Sequence, residues 1–238
     1  MTAIKIADIP IGLECRFKYT EDYVKDYITE QAPLFTVSAS DDEIEREHEI
    51  SGIRVPNQYA ENIAIYRKIA ERLADFDAIV FHGAVLEYDG MAYAITAHSG
   101  VGKTTHTRIW LNEYGDKVKI LNGDKPILRI IDGRIYACST PWMGKEGYGY
   151  NAIRPLGGIA FLSRGIQNKS RVIAPADAVM RFMNQVYLSK GNILSLTKSM
   201  RVVDRILSGT SLYEFESNMQ PDAAHVAYEA FVNSFTTE

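Results

Sequence analysis

The sequence predicts an α/β protein in which helices flank a mixed sheet. Three observations support this fold class. Two pairs of strand-like runs are joined by Asp-Gly turns, segments with helical periodicity separate the strand-like runs, and a glycine-rich loop links an apolar run to a helix-like run. Hairpins need antiparallel neighbours, whereas strand–loop–helix units are typical of parallel ones, so we expect both kinds of pairing in one sheet.

The N-terminal part of the chain predicts short strands followed by two helices. Ser40 with Glu43 three residues later is typical of a helix start with a capping box. From Pro56 to Phe76, apolar residues at intervals of three and four predict a long helix. We expect residues 1–55 to form a small β-rich subdomain and residues 56–238 to form the main domain. The predicted N-terminal strands are Thr2–Ala7, Glu14–Tyr19 and Leu34–Ser38.

Two β-hairpins follow the long helix. Their turns are Asp89-Gly90 and Asp132-Gly133, and Asp-Gly favours the two-residue turn that needs a positive φ at both central positions. Val118–Leu121 predicts another strand between the two hairpins. The hairpin strands are Ile79–Tyr88 with Met91–Thr96, and Pro126–Ile131 with Arg134–Cys138.

The last third of the chain alternates short strands with helices. The predicted strands are Gly157–Leu162 and Leu212–Phe215, and the predicted helices lie at about residues 175–188, 197–208 and 221–235.

Composition excludes several classes of function. The net charge of −4 does not suggest a nucleic-acid binder, which would usually carry a basic face, although it leaves room for a local basic pocket. No window approaches the 18 apolar residues of a membrane-spanning helix. The two cysteines match no zinc or CxxC spacing. We therefore expect a cytoplasmic protein that contacts neither nucleic acid nor membrane.

A phosphate-binding loop is predicted at Ala97–Thr105. The pattern G-x-x-x-x-G-K-[ST] fits except that Ala97 replaces the first glycine, which is tolerable if that position has a negative φ. Lys103 can reach phosphate oxygens, and Thr104 can offer its hydroxyl to Mg²⁺. We expect a nucleoside triphosphate with magnesium to bind here, held by Ser99, Gly100, Val101, Gly102, Lys103, Thr104 and Thr105.

Asp124 is the candidate carboxylate partner of this loop. It follows the predicted strand Val118–Leu121, and an acidic residue at a neighbouring strand end typically serves the metal or the nucleophile. We expect Asp124 to hold Mg²⁺ together with Thr104, or to accept a proton from an attacking hydroxyl. The alternative is an aspartate that only caps a turn.

Three further residues are candidates for catalysis. His82 lies early in a strand and either contacts phosphate or is a half-buried structural histidine. Lys145 and Arg154 either neutralise charge on the transferred phosphoryl group or are surface cations. Trp142 in the adjoining loop either stacks on a ligand or packs in the core.

Four segments of the chain resemble the HPr kinase/phosphorylase-like family, within the superfamily that includes phosphoenolpyruvate carboxykinases. They are His82–Val85, the Asp89-Gly90 hairpin leading into Ser99–Thr104, Asn122–Pro126 and Thr140–Glu146. The resemblance implies a carboxykinase/HPr kinase-like P-loop core that transfers the γ-phosphoryl group of ATP to a hydroxyl acceptor. It places the family's histidine, loop lysine and loop hydroxyl at His82, Lys103 and Thr104. The family has two adjacent aspartates at the acidic strand end, whereas this chain has Gly123-Asp124.

The leading hypothesis is therefore a Mg²⁺-ATP-dependent kinase, with Asp124 or His82 assisting deprotonation of the acceptor. The acceptor would be a serine of a protein or peptide, or a small molecule, and the resemblance implies a homo-oligomer. The main alternative is a nucleotide-binding regulatory or scaffold protein whose catalysis is impaired by Gly123. A full carboxykinase would need a longer chain, and an Asn-Lys-x-Asp guanine-reading motif of a GTPase is missing.

Overall fold

The computed structural model of the protein describes residues 1–188 and 193–233. Over these ranges it has twelve β-strands and seven α-helices, with short 3₁₀ turns between some of them. The strands form a three-stranded N-terminal sheet and a nine-stranded sheet. The predicted mixed α/β class is therefore confirmed, while the division into domains at residue 55 stays a prediction.

The N-terminal sheet contains β1 (Thr2–Ile6), β2 (Ile9–Glu14) and β3 (Phe35–Ser38). β2 pairs antiparallel with β1 and parallel with β3. Three helices belong to this half of the chain: α1 (Lys18–Tyr23), α2 (Asp41–Ser51) and α3 (Asn57–Arg72).

The predicted capping box of α2 is confirmed. The Ser40 hydroxyl accepts from the Glu43 amide at 3.2 Å, and the Glu43 carboxylate accepts from the Ser40 amide at 2.8 Å. The two reciprocal bonds satisfy amides that the first turn of a helix leaves without partners.

The large sheet has the strand order β4-β8-β9-β10-β6-β5-β7, and β12 pairs with β10 and β11. β10 joins two regions, because it runs antiparallel to β9 at its start and parallel to β6 and β12 further on. The strands are β4 (Ala78–Val80), β5 (Ala84–Tyr88), β6 (Met91–Thr96), β7 (Val118–Asn122), β8 (Ile127–Ile131), β9 (Arg134–Cys138), β10 (Ile153–Arg164), β11 (Lys169–Val172) and β12 (Leu212–Ser217).

Four helices flank this sheet: α4 (Lys103–Tyr114), α5 (Pro175–Met183), α6 (Ile193–Ser208) and α7 (Ala223–Asn233). α4 directly follows the glycine-rich loop, where the sequence shows a helix-like run. Both predicted hairpins are present, and the central residues of both turns have positive φ, from 48° at Asp132 to 79° at Gly133.

Three sequence predictions need correction. No strand covers Glu14–Tyr19, because the chain turns into α1 there. The buried carboxylate of Glu61, on α3, accepts from the backbone amides of Arg16 at 2.7 Å and Phe17 at 3.2 Å, just before α1 begins. This side chain satisfies amides of a helix start, which opposes an extended conformation.

The run Ile79–Tyr88 is not one strand. It is broken between β4 and β5, and this break places His82 at a bend instead of inside a strand. The helix predicted at 175–188 ends at Met183 because the following residues pair with the edge of the sheet: the Tyr187 amide donates to the Val80 carbonyl at 3.0 Å.

The last two helices differ from the prediction only at their ends. α6 begins at Ile193, four residues before the predicted start, and α7 covers Ala223–Asn233. Residues 234 and 235 of the predicted helix lie outside the described residues.

Among the described helices, none has the length and apolar character needed to cross a bilayer.

Candidate functional site

The loop between β6 and α4 has the backbone conformation expected of an anion-binding turn. Gly100 has φ 80° and Gly102 has φ 127°, values that favour glycine, whereas Ala97 is not in the positive-φ region. α4 begins at Lys103, and the residues of its first turn line a cleft. A helix N-terminus facing a cleft offers free amide groups and a partial positive charge to an anion.

Lys103 projects from this helix start back across the loop. Its ammonium group donates to the Ala97 carbonyl at 2.9 Å. Burial lowers the pKa of Lys103, and the nearby carboxylate of Asp124 partly opposes that effect. Lys103 therefore presents a half-buried cation that a phosphate oxygen can engage in place of a carbonyl.

Asp124 lies across the same cleft, two residues after β7. Its Oδ1 is 3.4 Å from His82 Nε2, and its Oδ2 contacts the ammonium of Lys125. Burial acts to raise the pKa of Asp124, but the hydrogen bonds and charges of His82 and Lys125 outweigh it and lower the pKa to about 2. Asp124 is therefore ionised at neutral pH, which suits it to hold a cation and makes it a weak base.

Asn122 fixes the turn that carries Asp124. Its side-chain oxygen accepts from the backbone amides of Asp124 at 2.9 Å and Lys125 at 2.8 Å. Its amide group donates to the Thr140 carbonyl at 3.1 Å, and the Thr140 hydroxyl donates to the Lys125 carbonyl at 2.7 Å. Asparagine commonly closes turns in this way, yet our sequence analysis did not single out Asn122.

His82 occupies the bend between β4 and β5, beside Asp124. Its ring Nδ1 is 3.2 Å from the Gln185 side-chain oxygen, and its carbonyl accepts from the Thr96 hydroxyl at 2.8 Å. The next residue, Gly83, donates its amide to the Asp124 carbonyl at 3.0 Å. The histidine is thus held between Gln185 and Asp124, and its side chain lines the cleft.

The segment from Trp142 to Tyr150 passes over the Asp124 turn. A Cβ on Gly144 would lie 3.0 Å from Asp124 Cβ, and the Gly123 amide donates to the Tyr148 carbonyl at 2.9 Å. A Cβ on Gly123 would lie 3.0 Å from the Met143 carbonyl oxygen and 3.2 Å from that of Tyr148. Backbone therefore occupies the space that a side chain at position 123 would need.

The two remaining cation candidates are placed differently. Lys145 is exposed and lines the cleft. Arg154 does not line the cleft, because its guanidinium pairs with Glu87 at 2.8 Å. Of the predicted loop residues, Val101 also does not line the cleft, since its side chain packs against the core between α4 and the sheet.

Arg164, at the end of β10, contacts the loop instead. Its guanidinium donates to the carbonyls of Val101 at 2.8 Å and Gly100 at 3.3 Å. Sequence analysis missed Arg164. The strand predicted at 157–162 could have indicated it. This strand is parallel to β6, so its C-terminal end lies beside the loop that follows β6.

The side of the cleft formed by α1 and α3 is rich in aromatic residues. We call Tyr19, Tyr23, Tyr59 and Tyr66, together with Trp142, the tyrosine wall. Trp142 is 4% exposed, its ring centroid is 4.8 Å from that of Tyr66, and its indole donates to the Asn62 side-chain oxygen at 2.9 Å. Trp142 is thus packed in the protein and also borders the cleft.

The loop, Asp124, His82 and the tyrosine wall border one cavity of about 720 Å³. Within the described parts of the chain, no group of three or more His, Cys, Asp or Glu side chains could hold a metal ion. Thr104 and Asp124 nevertheless supply oxygen ligands to the same cavity, and Mg²⁺ typically takes only one or two carboxylates together with phosphate and water.

No family model matches the chain, and no curated protein matches it. Among solved structures, it is similar to the Hpr(Ser) kinase/phosphatase from Coxiella burnetii, with 9% sequence identity and a TM-score of 0.37. The similarity covers 66% of this chain and 95% of that one. At this distance the similarity carries no argument about function, which is therefore argued from the site alone.

Proposed function

We propose that the chain binds Mg²⁺-ATP in this cavity and transfers the γ-phosphoryl group to a hydroxyl acceptor. The observation that carries the proposal is that a glycine-containing loop with a lysine at the start of α4 borders the same cavity as an ionised carboxylate. Phosphoryl transfer depends mainly on positioning and on charge neutralisation, and these groups supply both.

The phosphates would lie on the loop between β6 and α4. The amides of Ser99 to Thr105 and the positive end of α4 would hold phosphate oxygens, and Lys103 would exchange its bond to the Ala97 carbonyl for one to phosphate. Arg164, which also lines the cavity, supports the loop through the carbonyls of Gly100 and Val101.

Thr104 and Asp124 would hold Mg²⁺, which fits their hard oxygen donors. When bound, the metal would neutralise negative charge on the phosphates. The low pKa of Asp124 keeps its carboxylate ionised for this role over the whole neutral range. Lys125, which contacts the other carboxylate oxygen, and Lys145 are two further cations at this end of the cavity.

His82 is the group to which we assign the acceptor proton. With a pKa of about 2, Asp124 attracts a proton weakly, whereas imidazole is suited to proton transfer near neutral pH. Gln185 lies 3.2 Å from Nδ1 of His82 and orients the ring, and the acceptor hydroxyl would replace Asp124, now 3.4 Å away, as the neighbour of Nε2. Of the two candidate bases, Asp124 and His82, we therefore assign this role to His82.

A second candidate function is a nucleotide-binding regulatory or scaffold role. The observation that favours it is the crowding around Gly123, where a Cβ would lie 3.0 Å and 3.2 Å from two backbone carbonyl oxygens. In that case Mg²⁺-ATP would bind without turnover.

Transfer from γ-labelled ATP to serine, serine-containing peptides and small alcohols tests the two candidates. The phosphotransferase proposal predicts a labelled acceptor with the wild type and background labelling with Lys103→Ala and His82→Ala. Nucleotide binding by the wild type without transfer to any acceptor would favour the regulatory role. No nucleotide binding at all would refute both.

A further inference from the structure

The tyrosine wall lies at the Asp124 end of the cavity. Burial raises the pKa of Tyr66, and the carboxylate of Asp124 raises it further. The pKa of Tyr23 is raised by burial, by Tyr19 and Tyr59, and also by Asp124. Two rings of the wall therefore lie within electrostatic reach of the carboxylate. If phosphates occupy the loop, the γ-phosphoryl group faces the Asp124 end of the cavity, because the loop lysine reaches the β- and γ-phosphates.

The wall carries no charge of its own. The cavity-lining residues that α1 and α3 contribute within the described chain are Tyr19, Tyr23, Tyr59, Asn62, Ile63 and Tyr66. The cations that line the cavity come instead from the start of α4, from loops and from the end of a strand. An anionic ligand would find no counter-ion among the cavity-lining residues of α1 and α3, whereas aromatic faces attract a cation through their quadrupole.

Asn62 adds an unpartnered donor to this wall. The indole of Trp142 can only donate, so it fixes the Asn62 oxygen as the acceptor and leaves the amide nitrogen as the donor. Among the described residues that nitrogen has no hydrogen-bond partner, although Asn62 is 1% exposed and borders the cavity. A buried donor without a partner is costly, but this nitrogen is itself closed to solvent, so a ligand oxygen could reach it only if the side chain turned toward the cavity.

We propose that the tyrosine wall is the acceptor subsite and that it takes a small alcohol carrying a cationic amine. This inference rests on the proposed phosphotransferase function. The ammonium group lies against the rings of Tyr23 and Tyr59, and the hydroxyl group points toward Asp124 and His82. Tyr23 and Tyr59 are 38% and 44% exposed, so their faces are open to a ligand, unlike those of Tyr66 and Trp142.

The transfer balances without a further reactant. The alcohol oxygen forms a bond to the γ-phosphorus, and the bond from that phosphorus to the bridging oxygen breaks. ADP leaves with the electron pair of the broken bond. The alcohol proton passes to His82, which the nearby Asp124 carboxylate then stabilises as a cation.

Choline and 3,3-dimethylbutan-1-ol test the inference, because they have nearly the same shape and differ in charge. Each is titrated calorimetrically into the wild-type protein with and without Mg²⁺-ADP. We expect choline to bind about two- to fivefold more tightly than the neutral alcohol, the ratio typical of a cation against partly exposed rings. Equal affinities, tighter binding of the neutral alcohol, or no binding of choline would overturn the inference.

Tyr23→Leu and Tyr23→Phe form the matched pair of variants. Leucine removes the aromatic face and should reduce the preference for choline at least about twofold, whereas phenylalanine keeps the face and should preserve it. An equal loss in both variants would contradict recognition through the ring.

A parallel titration with Mg²⁺-ATP separates this inference from the proposed function. Binding of Mg²⁺-ATP without discrimination between the two alcohols would refute only the acceptor assignment. Absence of Mg²⁺-ATP binding would refute the phosphotransferase proposal, and with it the role of the wall as an acceptor subsite.

Discussion

Replacement of Lys103 by methionine should separate nucleotide binding from fold stability. In the ligand-free chain Lys103 makes one hydrogen bond, to the Ala97 carbonyl at 2.9 Å, and burial lowers its pKa. Methionine keeps most of the volume of the side chain and removes a partly desolvated charge. We therefore expect the free energy of unfolding to change by no more than about 1 kcal/mol.

The same substitution should weaken Mg²⁺-ATP binding strongly. A hydrogen bond to a charged group contributes about 1.5–3 kcal/mol, which corresponds to a roughly 10- to 150-fold increase in Kd. Calorimetric titration measures the Kd, and urea unfolding of the same samples measures stability.

Lys117→Met is the matched control, because Lys117 is exposed outside the cavity and its replacement removes the same charge from the chain. Its Kd for Mg²⁺-ATP should equal that of the wild type. An equal loss of binding in both variants would show that net charge attracts the nucleotide, and unchanged binding in Lys103→Met would refute the phosphate-binding role of Lys103.

Three further predictions concern neighbours of this lysine. The pKa of Asp124 falls from 3.8 to about 2 on folding, so the stabilising contribution of its carboxylate is complete above about pH 4 and is lost toward pH 2. The difference in unfolding free energy between the wild type and Asp124→Asn should therefore shrink as the pH falls through that range. A difference that stays constant would contradict the ion-pair geometry. Arg164→Met removes the two hydrogen bonds to loop carbonyls and should raise the Kd for Mg²⁺-ATP, measured by calorimetry, about fivefold. This corresponds to about 1 kcal/mol, the contribution typical of such hydrogen bonds. An unchanged Kd would show that the loop keeps its conformation without Arg164. Gly123→Asp should lower the free energy of unfolding by about 1–3 kcal/mol, because the new Cβ would lie 3.0 Å from the Met143 carbonyl oxygen. The same variant should not increase the rate of phosphoryl transfer. A variant with higher activity and normal stability would contradict the crowding at this position.

The parts of the fold that local patterns control could be predicted from the sequence. The Asp-Gly turns need only two residues with positive φ, and the start of α4 needs only the loop glycines and a helix-forming run after Lys103. The capping box of α2 is likewise a contact between residues three apart. These elements depend on neighbours in sequence, so a single chain displays them.

Long-range contacts explain what the sequence did not reveal. α1 begins where a carboxylate from Glu61, more than forty residues away, accepts backbone amides, and a single sequence gives no sign of that pairing. Arg164 reaches the loop only because β10 is parallel to β6. The tyrosine wall forms because α1 and α3 border the cavity, whereas the periodicity from Pro56 to Phe76 predicts a helix without showing what its tyrosines border.

The sequence identified residues of the candidate site but did not show how they are arranged. His82, Lys103 and Asp124 were singled out in the sequence, and the structure places their side chains around one cavity. The roles of Asp124 and His82 could not be separated beforehand, because the low pKa of Asp124 depends on the positions of His82 and Lys125. These placements leave the binding of ATP and Mg²⁺ as a proposal.

Calorimetric titration of ATP into the wild-type chain and Asp124→Asn, each with and without Mg²⁺, tests the central proposal most directly. We expect the wild type to bind ATP and to bind it more tightly when Mg²⁺ is present, and we expect Asp124→Asn to lose the magnesium-dependent part of the affinity. Absence of binding of ATP, ADP and GTP to the wild type, with or without the metal, would contradict the account.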